Sequence, residues 1–196
     1  MSEQRIPKWK RILFSETLAE KNTSHKIAYI AVITAFAVAA NTFEFKLFDT
    51  QFSLTLLISA LAGLLIGPLF GFAACFLGDF IGFLVNSSGY AYYPWIGISM
   101  GLVAAFAGLI VGGIPKAKSW FLYVKLAMVC VATFAVCTVA INTTAFWLLY
   151  SKVDYGTYLV SRLFVQGQIW NSVFNYVLLF IITPVLVRVK ALKIKL

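Results

Sequence analysis

Three amides, Gln168, Asn171 and Asn175, stand three and four residues apart. That spacing puts them on one face of a helix. Arg162 and Gln166 form a similar pair just before them, and Asn142 with Thr143 lies in the preceding apolar run. A second set mixes aromatic and polar side chains: Glu44, Asn86, Tyr90, Tyr93, Trp95 and Trp147. Amides and one arginine among aromatics are not an acid–base or nucleophilic centre. They suit the binding of a flat heteroaromatic molecule with an acidic tail. Rings stack on it, amides pair with its edge, and an arginine takes a carboxylate bidentately. The same amides also suit a plainer role, hydrogen-bonded glue between helices.

Other chemistry is poorly supplied. The one histidine, His25, excludes a multi-histidine metal site. Cys75, Cys130 and Cys137 all lie in apolar runs and read as small buried hydrophobes. Gly97-Ile98-Ser99-Met100-Gly101 fits the G-x-S-x-G pattern. That motif needs a strand-to-helix elbow, a histidine and an acid, and here it sits inside an apolar run. Asp79 is a candidate because an intramembrane carboxylate is costly; a structural acceptor beside Gly78 and Gly82 fits equally well. No Walker A pattern is present, so the chain does not power transport itself. Neither a catalytic centre nor a metal or cofactor site is expected.

The elements that carry these residues follow from composition. The chain has 196 residues, 61% of them hydrophobic and only 12% charged, and a mean hydropathy of +0.89. A soluble domain carries about 25% charged residues. Soluble, disordered and nucleic-acid-binding chains are thereby excluded. Lipid leaves helices or a closed barrel, and the long unbroken apolar runs favour helices.

The reading is an all-α integral membrane protein with six transmembrane helices. The spans run from Ile27 to Phe43, Phe52 to Ile66, Leu69 to Val85, Tyr93 to Ile114, Trp120 to Tyr150 and Phe164 to Val189. The second is short and the fifth long for a span of about 20 residues. Gly67-Pro68 makes a tight hairpin of the second and third, with Pro68 in the first turn of the third. Small residues four apart (Gly63 and Gly67, Gly78 and Gly82, Gly97 and Gly101) let helix backbones approach closely. Residues 1–26 form a basic segment, either an interfacial helix or a tail. Residues 27–189 form the membrane domain, and 190–196 a basic tail. Twelve lysines and arginines fall on the side of the two termini; Lys46, Lys152 and Arg162 fall on the other. That bias places both termini in the cytoplasm.

A family resemblance rests on specific residues. The first span carries the row Ala31, Ala35 and Ala39. Further on come Gly67-Pro68 with Gly71; Gly78-Asp79 with Gly82; and Gly89-Tyr90 through Tyr93-Pro94-Trp95. Asn142-Thr143 with Trp147 and Tyr150, and then Arg162, complete the pattern. Over roughly residues 27–185 it resembles the S component, the substrate-binding membrane subunit, of an energy-coupling factor (ECF) vitamin transporter. The folate-type branch is most similar.

The resemblance implies a binding subunit and not an enzyme. It would take a vitamin in a pocket facing outward, at Glu44, Asn86, Tyr90, Tyr93, Trp95, Asn142, Trp147, Arg162, Gln166, Gln168, Asn171 and Asn175. Folate is the first expectation; cobalamin, pantothenate and riboflavin stay open. Ala31, Ala35 and Ala39 would dock a transmembrane coupling subunit that carries two cytoplasmic ATPases, which use the ATP. The location implied is a bacterial plasma membrane. The competing reading is an autonomous small transporter, and the lack of a clear internal repeat speaks against it.

Overall fold

The computed structural model describes residues 12–42, 44–47, 50–86, 91–113 and 120–188. A short helix, α1 (Glu16–Ala19), leads into α2 (Thr23–Thr42). A hairpin follows, β1 (Glu44–Leu47) antiparallel to β2 (Thr50–Ser53). Then come α3 (Thr55–Ile66), α4 (Pro68–Val85) and α5 (Pro94–Gly113). Helix α6 (Phe121–Thr133) widens into a π-helix, Phe134–Thr143, and tightens again as α7 (Thr144–Tyr150). After α8 (Tyr155–Val160) and a π turn, Ser161–Val165, the last helix is α9 (Gln168–Arg188).

Among the described residues, five helices are long and apolar enough to cross a membrane: α2, α4, α5, the run Phe121–Tyr150, and α9. The expected second span differs. Only 12 of its residues are helical, a rise of about 18 Å against a hydrocarbon core of about 30 Å. Its start was expected at Phe52, which instead belongs to β2. The expected all-helical chain therefore carries one small hairpin. The reason is a period of two: Glu44-Phe45-Lys46-Leu47 alternates polar and apolar residues, and Leu47 pairs with Thr50.

The hairpin of α3 and α4 forms as expected, and its turn shows why glycine stands there. Gly67 has φ +111°, and an added Cβ would meet the Ser15 nitrogen at 2.4 Å. The N-terminal segment is seated on this turn. Ser15 N–H donates to the Ile66 carbonyl at 3.1 Å, and Ser15 Oγ donates to the Leu65 carbonyl at 2.6 Å. Phe14 stacks on Phe70 at 4.5 Å, and Leu18 is buried beside Ile66 and Ala74. Phe14, Ser15 and Leu18 thus seat this segment on the bundle, and α2 begins at Thr23. The basic residues before 12, residues 114–119 and the basic residues 190–196 lie outside the described residues.

The small-residue rows are close-approach points. An added Cβ at Gly63 would lie 1.8 Å from the Ala104 carbonyl oxygen, so α3 and α5 touch backbone to backbone. At Gly78 it would meet Ala37 Cβ at 2.5 Å, which brings α2 onto α4. The main apolar core joins α3, α5, α6 and α9 through Leu57, Leu64, Val103, Val111, Leu126 and Leu179. Of the alanine row on α2, Ala31 and Ala35 are exposed and Ala39 is half-buried, while Ala37 and Ala40 turn into the bundle.

Candidate functional site

The start of α5, the face of α7 and the π turn before α9 meet at one end of the bundle. Residues 91–93 lead into Pro94, which opens α5 without needing its missing N–H. This brings the rings of Tyr93 and Trp95 to 4.8 Å. On α7, Phe146 and Tyr150 lie one turn apart, with rings 6.1 Å apart. Phe146 is the centre of the cluster, 5.7 Å from the Tyr93 ring and 5.9 Å from that of Trp95. The Tyr93 and Tyr150 hydroxyls are hydrogen-bonded to each other. Arg162, on the π turn, lies over the Phe146 ring with Cζ 4.4 Å from its centroid, a cation–π contact.

Asn142 enters from the wide part of the fifth span. Its Nδ2 donates to Ser99 Oγ at 3.1 Å, and Ser99 Oγ donates to the Cys137 carbonyl at 3.5 Å. The π-helix widens the backbone ladder here: Thr143 Oγ1 reaches the Thr138 carbonyl, five residues back, at 2.8 Å. Such widened turns often mark functional positions.

Trp95 Nε1 and Arg162 Nε at these rings, and Asn142 Oδ1 four residues before Phe146, are buried without a hydrogen-bond partner among the described residues. Leaving a buried polar group unmade costs about 1–3 kcal/mol. The cluster thus offers two donors and one acceptor beside aromatic faces. The complement is a flat ring system whose edge carries two acceptors and one donor.

The structure assigns other jobs to several of the expected residues. Asn175 is fully buried and saturated. Its Oδ1 accepts from Leu57 N–H at 3.0 Å, and its Nδ2 donates to the carbonyls of Ser53 and Asn171, both at 2.8 Å. Asn171 Oδ1 accepts from Ser53 N–H at 3.2 Å. These amides clamp the junction of β2 and α3 onto α9, the glue alternative. Trp147 Nε1 donates to the Val153 carbonyl at 2.8 Å, and its ring meets Tyr155 at 5.4 Å, so it braces the turn before α8. Gln166 is exposed, and Gln168 is half-buried in the first turn of α9. Gly167, at φ +75°, breaks the helix between them, so Arg162 stands on the π turn before the last helix. Asn86 is exposed at the end of α4. The backbone of Glu44 lies in β1 opposite Ser53. The side chain of Glu44, and Tyr90 altogether, lie outside the described residues.

Phe146 was missed. Its signal was the spacing Asn142, Phe146, Tyr150, four and four, one face of a helix. Ser99 was dismissed with the hydrolase motif. It is 2% exposed and holds Asn142, while His25 lies at the other end of the bundle on Asn22. Among the described residues, no group of three metal-ligating side chains occurs.

The sequence model of one family, the ECF-type riboflavin transporter S component, matches residues 21–193. No curated protein sequence matches the chain. A solved structure, the crystal structure of FolT bound with folic acid, has a similar fold. Its TM-score is 0.62 at 18% identity, over 81% of this chain and 92% of that one. That identity carries the fold alone. The matched family is one of transporter subunits and not of enzymes. The chain belongs to the family of ECF-type riboflavin transporter S components.

Proposed function

We propose that this chain captures a flat heteroaromatic vitamin between the Tyr93–Trp95 wall and Phe146, with riboflavin as the first ligand to test. One observation carries the reading: Trp95 Nε1, Arg162 Nε and Asn142 Oδ1 are buried and unpartnered, the first two residues against the Phe146 ring and the third four residues before it on the same span. The imide edge of a flavin reads acceptor, donor, acceptor, which complements two donors and one acceptor. The family description supports the same ligand. Folate, the expectation from the sequence, is the competing ligand. A pterin edge carries two adjacent donors and asks for two acceptors, and the cluster leaves one.

In this reading the site faces outward, both termini are cytoplasmic, and the protein resides in a bacterial plasma membrane. The charge bias supports that orientation. After capture, the exposed Ala31 and Ala35 would seat on the coupling subunit, whose two ATPases supply the energy. No cofactor is assigned to this chain.

The test is a titration of the purified protein with riboflavin, folate, pantothenate and cobalamin, read by tryptophan fluorescence. Tight one-to-one quenching by riboflavin is expected, with Trp95 as the reporter. Tight binding of folate instead would replace the ligand and keep the S-component reading. Silence from all four, in folded protein, would overturn the site.

A further inference from the structure

Asp79 is a carboxylate of α4, 4% exposed, and the ring cluster does not use it. A carboxylate buried among apolar helices is costly unless polar neighbours hold it. On one side it meets α2. An added Cβ at Gly82 would lie 2.8 Å from Asn41 Nδ2, and that Nδ2 donates to the Asp79 carbonyl at 3.2 Å. On the other side it meets the start of α5. An added Cβ at Gly97 would lie 2.9 Å from Asp79 Oδ2 and 2.9 Å from the Tyr92 hydroxyl oxygen. Both oxygens lie against the bare face of one glycine and neither closes a hydrogen bond of standard geometry among the described residues; the polar neighbours of the Asp79 carboxyl are the Tyr92 hydroxyl and the Asn41 amide. The Tyr92 ring is held by Phe80 and Phe83, each at 5.2 Å. Burial first, then the Asp79 charge, pushes the Tyr92 hydroxyl up to about 12. It keeps its proton at neutral pH and can donate it to the carboxylate. The very next residues, Tyr93 and Trp95, form the wall of the ring cluster.

We propose that Asp79 is a positioning residue that ties the C-terminal end of α2 to the Tyr92–Trp95 wall, its carboxyl set between the Asn41 amide and the Tyr92 hydroxyl. The wall and α2 then move as one body, so a ligand that shifts the wall also shifts the helix bearing the exposed alanines. That last step rests on the vitamin site proposed above; the tie itself does not.

Amide hydrogen exchange on the full chain in lipid nanodiscs tests the tie, with riboflavin titration alongside. Asp79→Ala should raise exchange about tenfold or more at two separated segments, the last turn of α2 and the first turns of α5, and leave α6 and α9 unchanged. It should also weaken riboflavin about tenfold. Asp79→Asn keeps an oxygen for the Tyr92 hydroxyl and should restore both readouts to near wild type. Tyr92→Phe removes the same contact from outside the spans. It should loosen the start of α5, and it decides the matter if Asp79→Ala does not fold. A rise spread evenly over the bundle, or no rise at either segment, overturns the positioning role. Loosened segments with unchanged riboflavin affinity overturn its link to the ligand. A wild type that binds no riboflavin overturns the flavin reading, and the exchange pattern alone then decides the tie.

Discussion

Trp95 and Arg162 each bring one unpartnered polar atom to the Phe146 ring, and Asn142 holds a third four residues before it; Asn175 brings none, because its amide is fully used. The two kinds of residue should fail differently. Arg162→Ala should raise the ligand Kd roughly 10- to 150-fold, from a loss of about 1.5–3 kcal/mol, with little change in Tm. Asn175→Ala leaves the Leu57 N–H buried and unpaired. It should lower stability by about 1–3 kcal/mol, seen as a fall in Tm. Titration and thermal unfolding of the same preparations separate the cases. Asp154 supplies a pH test. It caps α8, accepting from the Thr157 N–H at 2.9 Å and from the Thr157 hydroxyl at 2.8 Å, and these bonds hold its carboxyl below the usual range. A depressed folded value stabilises above the unfolded value of about 3.9 and is lost as pH falls through the folded one. Protection of the α8 amides, taken relative to their intrinsic exchange rate at each pH, should therefore be high at neutral pH and fall in acid, and Asp154→Asn should flatten that dependence.

Among the elements, the turn at Gly67 and the π-helix do most to shape the site. Gly67 sits at φ +111° with the Ser15 backbone against it. Gly67→Ala should destabilise by about 1–3 kcal/mol from strain alone and dislodge residues 14–18 from the α3–α4 turn. A lower Tm and faster proteolysis after the N-terminal segment would report it. The turn was legible because Gly-Pro acts locally: glycine reaches positive φ, and proline opens a helix. The shortness of α3 was not. An apolar run reads alike as strand or helix, and Phe52 joins β2 because Phe45 is there to pair with it. Nor does any local rule announce a π-helix at Phe134–Thr143, which decides how Asn142 is aimed.

For the whole molecule, the prediction concerns the outer face of α2. Ala31 and Ala35 are exposed while Ala37 and Ala40 pack inward. Ala35→Trp should leave ligand affinity unchanged and abolish uptake in vesicles holding the coupling subunit and ATPases. Retained uptake would remove the docking role. That the chain is a bundle of helices in lipid was set by composition and run length, since both act through the solvent and need no partner. The Gly67-Pro68 turn and the small-residue rows were equally local. Which amides bind and which clamp was decided only by tertiary structure. Spacing assigns Gln168, Asn171 and Asn175 to a helix face, but a face acquires a role from what meets it. Here that is the backbone at Ser53 and Leu57, more than a hundred residues away. The ring cluster is the converse case: Trp95, Phe146 and Arg162 come from three separate elements, and folding alone makes them neighbours.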